Sequence, residues 1–133
     1  MGDSAEPAVP SAFVQGLRHQ RQATGQGTLL DLFAPGEALR DSYTVFTPEG
    51  DYLLTLGYTV VYPGCTTRGH EHDDIEEVYF LTSGEGEIVV DAHVEQVRAG
   101  DGVRIPFGSF HQARNTAVEP LTYCWVTRRR ANR

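Results

Sequence analysis

The chain has 133 residues and a mass of 14.7 kDa, the size of a single domain. Apolar residues make up 40% of it and charged residues 22%, which speaks against a disordered or fibrous chain. The 11 basic residues, all arginine, stand against 18 acidic ones for a net charge of −7; without the four arginines among the last six residues the body carries about −11, a field that repels phosphate backbones and argues against nucleic acid as the partner.

Residues 1–10, rich in Pro, Ala and acid, read as a disordered tail. They lack the apolar run of a signal peptide, and Glu6 stands where a myristoylation signal needs Ser or Thr. Residues 11–22 make a short helix candidate with Phe13, Val14 and Leu17 on one side, weakened by Gly16. A loop over Thr24 to Thr28 leads to a short strand candidate, Thr28 to Phe33. From there the pattern is β. Tyr43 to Phe46 is a strand and Pro48 to Asp51 a turn. Tyr52 to Tyr62, rich in β-branched and aromatic residues, is one long strand bent at Gly57. It is also the longest apolar stretch, and its 11 residues fall short of the roughly 20 that a membrane helix needs. Val78 to Leu81, a turn at Gly84 to Gly86, Glu87 to Val90, a tight turn at Asp91 to His93, Val94 to Val97, Gly102 to Ile105, His111 to Asn115 and Leu121 to Thr127 complete the set. Short strands punctuated by turns at this spacing predict an antiparallel sandwich or barrel. Two cysteines, Cys65 and Cys124, fit free thiols in a reducing cytosol rather than a disulfide scaffold.

Two segments carry chemistry. In the first, Gly64 is followed by His70, His72, Glu77 and Gly84; in the second, Gly100 is followed by Pro106, Gly108, His111 and Asn115. His70 and His72 are two apart, so on a strand both imidazoles point to one face. After the polar break Asp73 to Glu76, Glu77 opens a new strand and can return its carboxylate toward that face. His111 opens a strand after the Pro106-Phe107-Gly108 turn. Three imidazoles and a carboxylate converging inside a barrel would suit Fe, Mn, Co, Ni, Cu or Zn.

Both segments resemble the two conserved motifs of the cupin superfamily at every defining position, over roughly Tyr58 to Val126. The resemblance implies a single-domain jelly-roll β-barrel, also described as a double-stranded β-helix. In that frame residues 1–10 are a tail, 11–46 a segment packing on the barrel or on a partner subunit, 47–127 the barrel and 128–133 a basic tail. It also implies that His70, His72, Glu77 and His111 hold one divalent metal per chain, with iron placed first. Four protein ligands leave no open position on tetrahedral zinc but two on an octahedral ion. The expected function is a metal-dependent enzyme acting on a small carboxylate, enol or hydroxy-ketone metabolite, with a non-haem dioxygenase ahead of an isomerase, epimerase or lyase. The alternative is a non-catalytic, metal-dependent binding module. A homodimer and a cytoplasmic location are further expectations, with no nucleic-acid or membrane partner.

Other residues are weighed against plainer roles. Tyr79, two beyond Glu77, shares the ligand face and is the candidate catalytic phenol. Tyr58, Tyr62 and Trp125 read as core or interface. Glu71, Asp73, Asp74 and Glu76 read as a solvated mouth, and Glu76 as the lesser alternative to Glu77 because only Glu77 keeps the motif distance to Gly84. Arg68 and Arg104 read as surface charges ahead of an inward-facing carboxylate or phosphate clamp, His19 and His93 as solvated, both cysteines as inert, and Arg128 to Arg130 as a solvated tail. The absence of lysine excludes a lysine Schiff base, and no phosphate loop or dinucleotide fingerprint is present.

Overall fold

The computed structural model describes residues 38–39, 42–48 and 52–130. The expected tail at 1–10, helix at 11–22, loop at 24–28, strand at 28–33 and most of the turn at 48–51 lie outside the described residues. Within them every regular element is a strand: β1 (Ala38–Leu39), β2 (Tyr43–Phe46), β3 (Leu54–Val61), β4 (Ile75–Ser83), β5 (Glu85–Val90), β6 (His93–Arg98), β7 (Gly102–Ile105), β8 (His111–Arg114) and β9 (Leu121–Arg129). No helix among them is long and apolar enough to cross a membrane.

The strands form two antiparallel sheets. One has the order β1-β2-β3-β9-β4-β7 and the other β6-β5-β8. This is the two-sheet arrangement of the expected jelly roll. Side chains alternate across each strand, and β4 shows the split: Glu77, Tyr79 and Leu81 are buried while Val78 and Phe80 are exposed. The inward set meets the other sheet in a core of Val61, Tyr79, Leu81, Ile88, Val97, Ile105, Ala113, Leu121 and Tyr123. Burying each large aliphatic of that set contributes roughly 1.5–3 kcal/mol.

Several details differ from the sequence reading, among them β3, which begins at Leu54, and β6, which takes in His93 from the expected turn. Strand β4 begins at Ile75, inside the expected polar break, because its backbone is paired with β9 from Ile75↔Arg129 onward. Strand β5 begins at Glu85, so the turn narrows to Gly84, whose φ of +83° suits glycine. Gly57 is not a bend. It pairs in register with Trp125, and a Cβ there would fall inside the Trp125 indole, so glycine is needed because the ring lies across it.

Arg128 to Arg130 pack against neighbouring strands, although Arg128 and Arg130 are exposed to solvent. Arg128 and Arg129 are the last residues of β9. Arg128 Nη2 donates to Glu76 Oε1 at 2.8 Å, and Arg104 Nε donates to Glu76 Oε2 at 2.8 Å. Arg130 places its guanidinium 4.1 Å from the Phe107 ring centre, and its N–H donates to Asp74 O at 2.9 Å. These contacts tie the end of β9 to β7 and to the start of β4, one residue before Glu77.

Candidate metal centre

The segment between β3 and β4 is extended and bonded along β8. Thr67 N donates to Ala113 O at 2.9 Å, His111 N to His70 O at 2.9 Å and His70 N to His111 O at 3.2 Å. His70 is thereby bridged directly to His111. Alternation along this segment sends Arg68, His70 and His72 to one side. The His70 ring centre is 4.6 Å from that of His72 and 4.4 Å from that of His111. Glu77, on the inner face of β4, brings Oε2 to 2.8 Å from His111 Nε2. One donor atom from each of His70, His72, Glu77 and His111 lies within 4.8 Å of the others.

Two backbone carbonyls fix the tautomers. His70 Nδ1 is 3.1 Å from Arg68 O, and His111 Nδ1 is 3.1 Å from Ser109 O. A carbonyl only accepts, so each Nδ1 carries the hydrogen in the neutral ring and each Nε2 presents a lone pair. At His111 that lone pair faces the Glu77 carboxylate. Both His111 Nε2 and Glu77 Oε2 are buried and neither has a hydrogen-bond partner. Two acceptors in contact repel, and a buried pair of this kind is satisfied only by a proton or a cation. Burial pulls the His111 pKa down, but the Glu77 carboxylate and the Ser109 carbonyl outweigh it and raise it above the ordinary imidazole value. His70 goes the other way: burial lowers it, helped by His111 and His72 and opposed by the Arg68 carbonyl. Neutral imidazoles beside one carboxylate are a donor set for a divalent transition metal, and the four residues fit one. His70, His72, Glu77 and His111 are therefore the residues that can hold it.

A cavity of ≈ 330 Å³ adjoins the cluster, walled by the inner faces of β2, β3, β4 and β9 and by the segment from Thr67 to His72. Tyr79 lines it, stacked on Tyr123 at 4.5 Å and edge-on to His111 at 6.2 Å. Burial first, then Tyr123 and Glu77, push the Tyr79 phenol well above its ordinary value, so it holds its proton at neutral pH. Trp125 also lines the cavity and donates from Nε1 to Thr59 Oγ1 at 3.0 Å.

The other sequence candidates fall as follows. Glu76 faces outward to Arg104 and Arg128, so it is a clamp across three strands and not the alternative ligand. Arg104 belongs to that surface cluster, and Arg68 is exposed, as a surface charge would be, while also lining the cavity. Glu71, Asp73, Asp74 and His93 are exposed. Tyr62 reaches Thr44 through its hydroxyl, and Tyr58 packs near Phe46 on the face turned away from the cavity. Cys65 and Cys124 are free thiols, and burial raises the Cys124 pKa. His19 lies outside the described residues. The sequence reading passed over Thr55 and Thr127, which also line the cavity. For Arg68 the signal was present, since it is two residues before His70. For the threonines it was absent, since their place beside Glu77 depends on strand register.

Comparison with known proteins agrees with this architecture. An uncharacterized protein of Methanocaldococcus jannaschii is 31% identical over 67 residues, which are 50% of this chain and 54% of that protein. The chain thus spans about half the length of that relative. Among solved structures, TT1209 from Thermus thermophilus matches with a TM-score of 0.63 at 21% identity, over 68% of this chain and 87% of that one. A predicted oxalate decarboxylase from Thermotoga maritima matches with a TM-score of 0.62 at 19% identity, over 66% and 81%. The sequence pattern of the cupin domain matches residues 57–127, which hold all four donor residues and the strands that aim them, and the chain belongs to the cupin superfamily.

Proposed function

We propose that the chain is a metalloenzyme that takes a small polar metabolite, bearing a carboxylate, enol or hydroxy-ketone oxygen, into the cavity beside His70, His72, Glu77 and His111, and that it is a non-haem dioxygenase. The observation that carries the reading is the buried contact between His111 Nε2 and Glu77 Oε2, two acceptors without a donor. A bound divalent ion, iron in this reading, supplies Lewis acidity and open positions for oxygen ligands. The chain's own residues do the rest. The Arg68 and Ser109 carbonyls hold two imidazoles with Nε2 toward the site. Tyr79 keeps a proton at the cavity wall, where it stacks on Tyr123.

Oxygenation is favoured over isomerase or epimerase chemistry by the inventory of bases. Among the described residues that line the cavity, Glu77 is the sole carboxylate, and every imidazole belongs to the metal-holding set. No carboxylate or imidazole is left over to take a proton from carbon. Decarboxylation, a lyase reaction, needs no such base and stands as the second reading.

Elemental mass spectrometry on protein prepared anaerobically and without an affinity tag tests the site. About one ion per chain is expected in the wild type, with most of it lost in His111→Ala. Full occupancy in the variant, or no metal in either protein, overturns the site. Oxygen consumption with carboxylate and enol substrates, run beside carbon dioxide release, then separates the two reactions, and turnover in neither assay leaves a binding module.

A further inference from the structure

The cavity holds a second set of groups beside the metal-holding cluster. Strand register places Thr55, Thr127 and Glu77 in one row across β3, β9 and β4 on the inner face. The Thr55 and Thr127 hydroxyls make no hydrogen bond among the described residues, so both are free for a ligand. In the next row Gly57 pairs with Trp125, and the missing Cβ lets the indole lie over the β3 backbone as a flat wall. Trp125 Nε1 is spent on Thr59, which holds the ring in place. Arg68 approaches from the segment bonded to β8, in phase with His70 and His72. Among the described residues lining the cavity it is the sole cationic side chain that is charged at any working pH; it is exposed, and it forms no ion pair among the described residues although Glu71, Asp73 and Asp74 are close in sequence.

We propose that this cavity is built for a small planar carboxylate: the flat body lies on Trp125, ring or enol oxygens meet Thr55 and Thr127, and the carboxylate pairs with Arg68. The assignment deepens the metal-site reading, because the row of Thr55 and Thr127 leads to Glu77 and so delivers the substrate oxygens to the metal-holding end. A cavity of ≈ 330 Å³ is at the small end of the range for ligand pockets, about 300–1,000 Å³, and suits one ring with a few substituents. A planar body against an indole gains offset stacking, which a puckered ring of the same volume does not. A carboxylate bonded by a guanidinium gains charge-assisted hydrogen bonds, which an amide does not.

Binding can be read without turnover, because Trp125 is the one tryptophan of the chain and its emission reports on the cavity wall. The metal-loaded protein, with its metal content measured in the same sample, is titrated with benzoate, benzamide, cyclohexanecarboxylate and 3-hydroxybenzoate, and affinities are taken by calorimetry. Benzoate should shift the Trp125 emission and bind roughly tenfold or more tighter than benzamide or cyclohexanecarboxylate. Arg68→Gln should lose that preference over benzamide while keeping its metal. The advantage of 3-hydroxybenzoate over benzoate should vanish in Thr55→Val/Thr127→Val, with circular dichroism verifying that both variants fold. Equal affinity for the acid, the amide and the puckered acid in loaded protein overturns the proposal, as does an Arg68→Gln that binds benzoate as tightly as the wild type. A wild type that holds no metal yet binds benzoate through Arg68 supports the carboxylate pocket and overturns the metal site, so the two failures are distinguishable.

Discussion

Glu77→Gln makes the wild-type and variant stability curves cross with pH in metal-free protein, because it changes the one buried contact that lacks a donor. At high pH the wild type sets His111 Nε2 and Glu77 Oε2, both buried acceptors, 2.8 Å apart. A buried acceptor left unsatisfied costs about 1–3 kcal/mol. The Gln amide is nearly the same shape and offers an N–H to that nitrogen, so it removes the repulsion and adds a bond. In a domain of this size 1 kcal/mol shifts Tm by roughly 3–6 °C, and the variant should therefore melt about 3–18 °C higher.

At low pH the sign reverses. The His111 pKa is raised on folding, mainly by Glu77 working against burial. The stability it contributes is fully present below the unfolded value of about 6.5 and is lost as pH rises through the folded value. Without the carboxylate, burial dominates and that contribution disappears, so the wild type should be the more stable protein near pH 5.5 and the variant near pH 9. Thermal melts followed by circular dichroism in chelator, at steps across that range, read the crossing. Added metal should then raise the Tm of the wild type far more than that of the variant, which has lost a charged donor. Parallel curves in chelator, or equal stabilisation by metal, would refute the reading of this contact.

Two further outcomes follow from the packing around the site. Gly57→Ala should displace the Trp125 ring, break its bond to Thr59 and destabilise the fold by about 1–3 kcal/mol, with a red shift in tryptophan emission; an unchanged spectrum would contradict the close approach. Glu76→Gln should weaken the tie between β4, β7 and β9 in a pH-dependent way. Arg128 and Arg104 hold the Glu76 pKa below its ordinary 4.5, so its contribution is present above that value and is lost as pH falls through the folded value. The two proteins should differ at neutral pH and converge in acid, and a constant gap in melting temperature down to about pH 3 would show that the carboxylate charge is not what holds the strands.

The donor set was legible because its information is local. His70 and His72 share a face by period two, and the motif spacing to Glu77 and His111 carries the rest. Most strands were legible for the same reason, since turn glycines and alternating β-branched residues mark them. What escaped depends on which strand lies beside which. Thr127 stands next to Glu77 only because β9 is inserted between β3 and β4, an order that no local pattern encodes. Gly57 read as a bend because its partner, Trp125, is 68 positions later, and only the pairing reveals a ring occupying the place of a Cβ. The arginines at the end of β9 read as a tail because their partners, Glu76 and Phe107, are also distant in sequence.

Charge ties the metal site to the carboxylate pocket. The body of this chain is strongly acidic, and Glu71, Asp73 and Asp74 are exposed beside the ligand segment. An anion approaching this surface meets a repulsive field. Among the described residues lining the cavity, Arg68 and Glu77 cancel when the imidazoles are neutral, so the metal-free cavity draws an anion through Arg68 alone. A divalent ion on the four donors changes that balance to about +2, in a partly buried space where charges are screened far less than at the surface. The same ion that relieves the acceptor contact between His111 and Glu77 would thus make the cavity attractive to a carboxylate, with Arg68 giving the anion its orientation. Folding, metal binding and substrate selection then rest on one buried contact, which is why a change of a single atom in the Glu77 side chain is expected to affect all three.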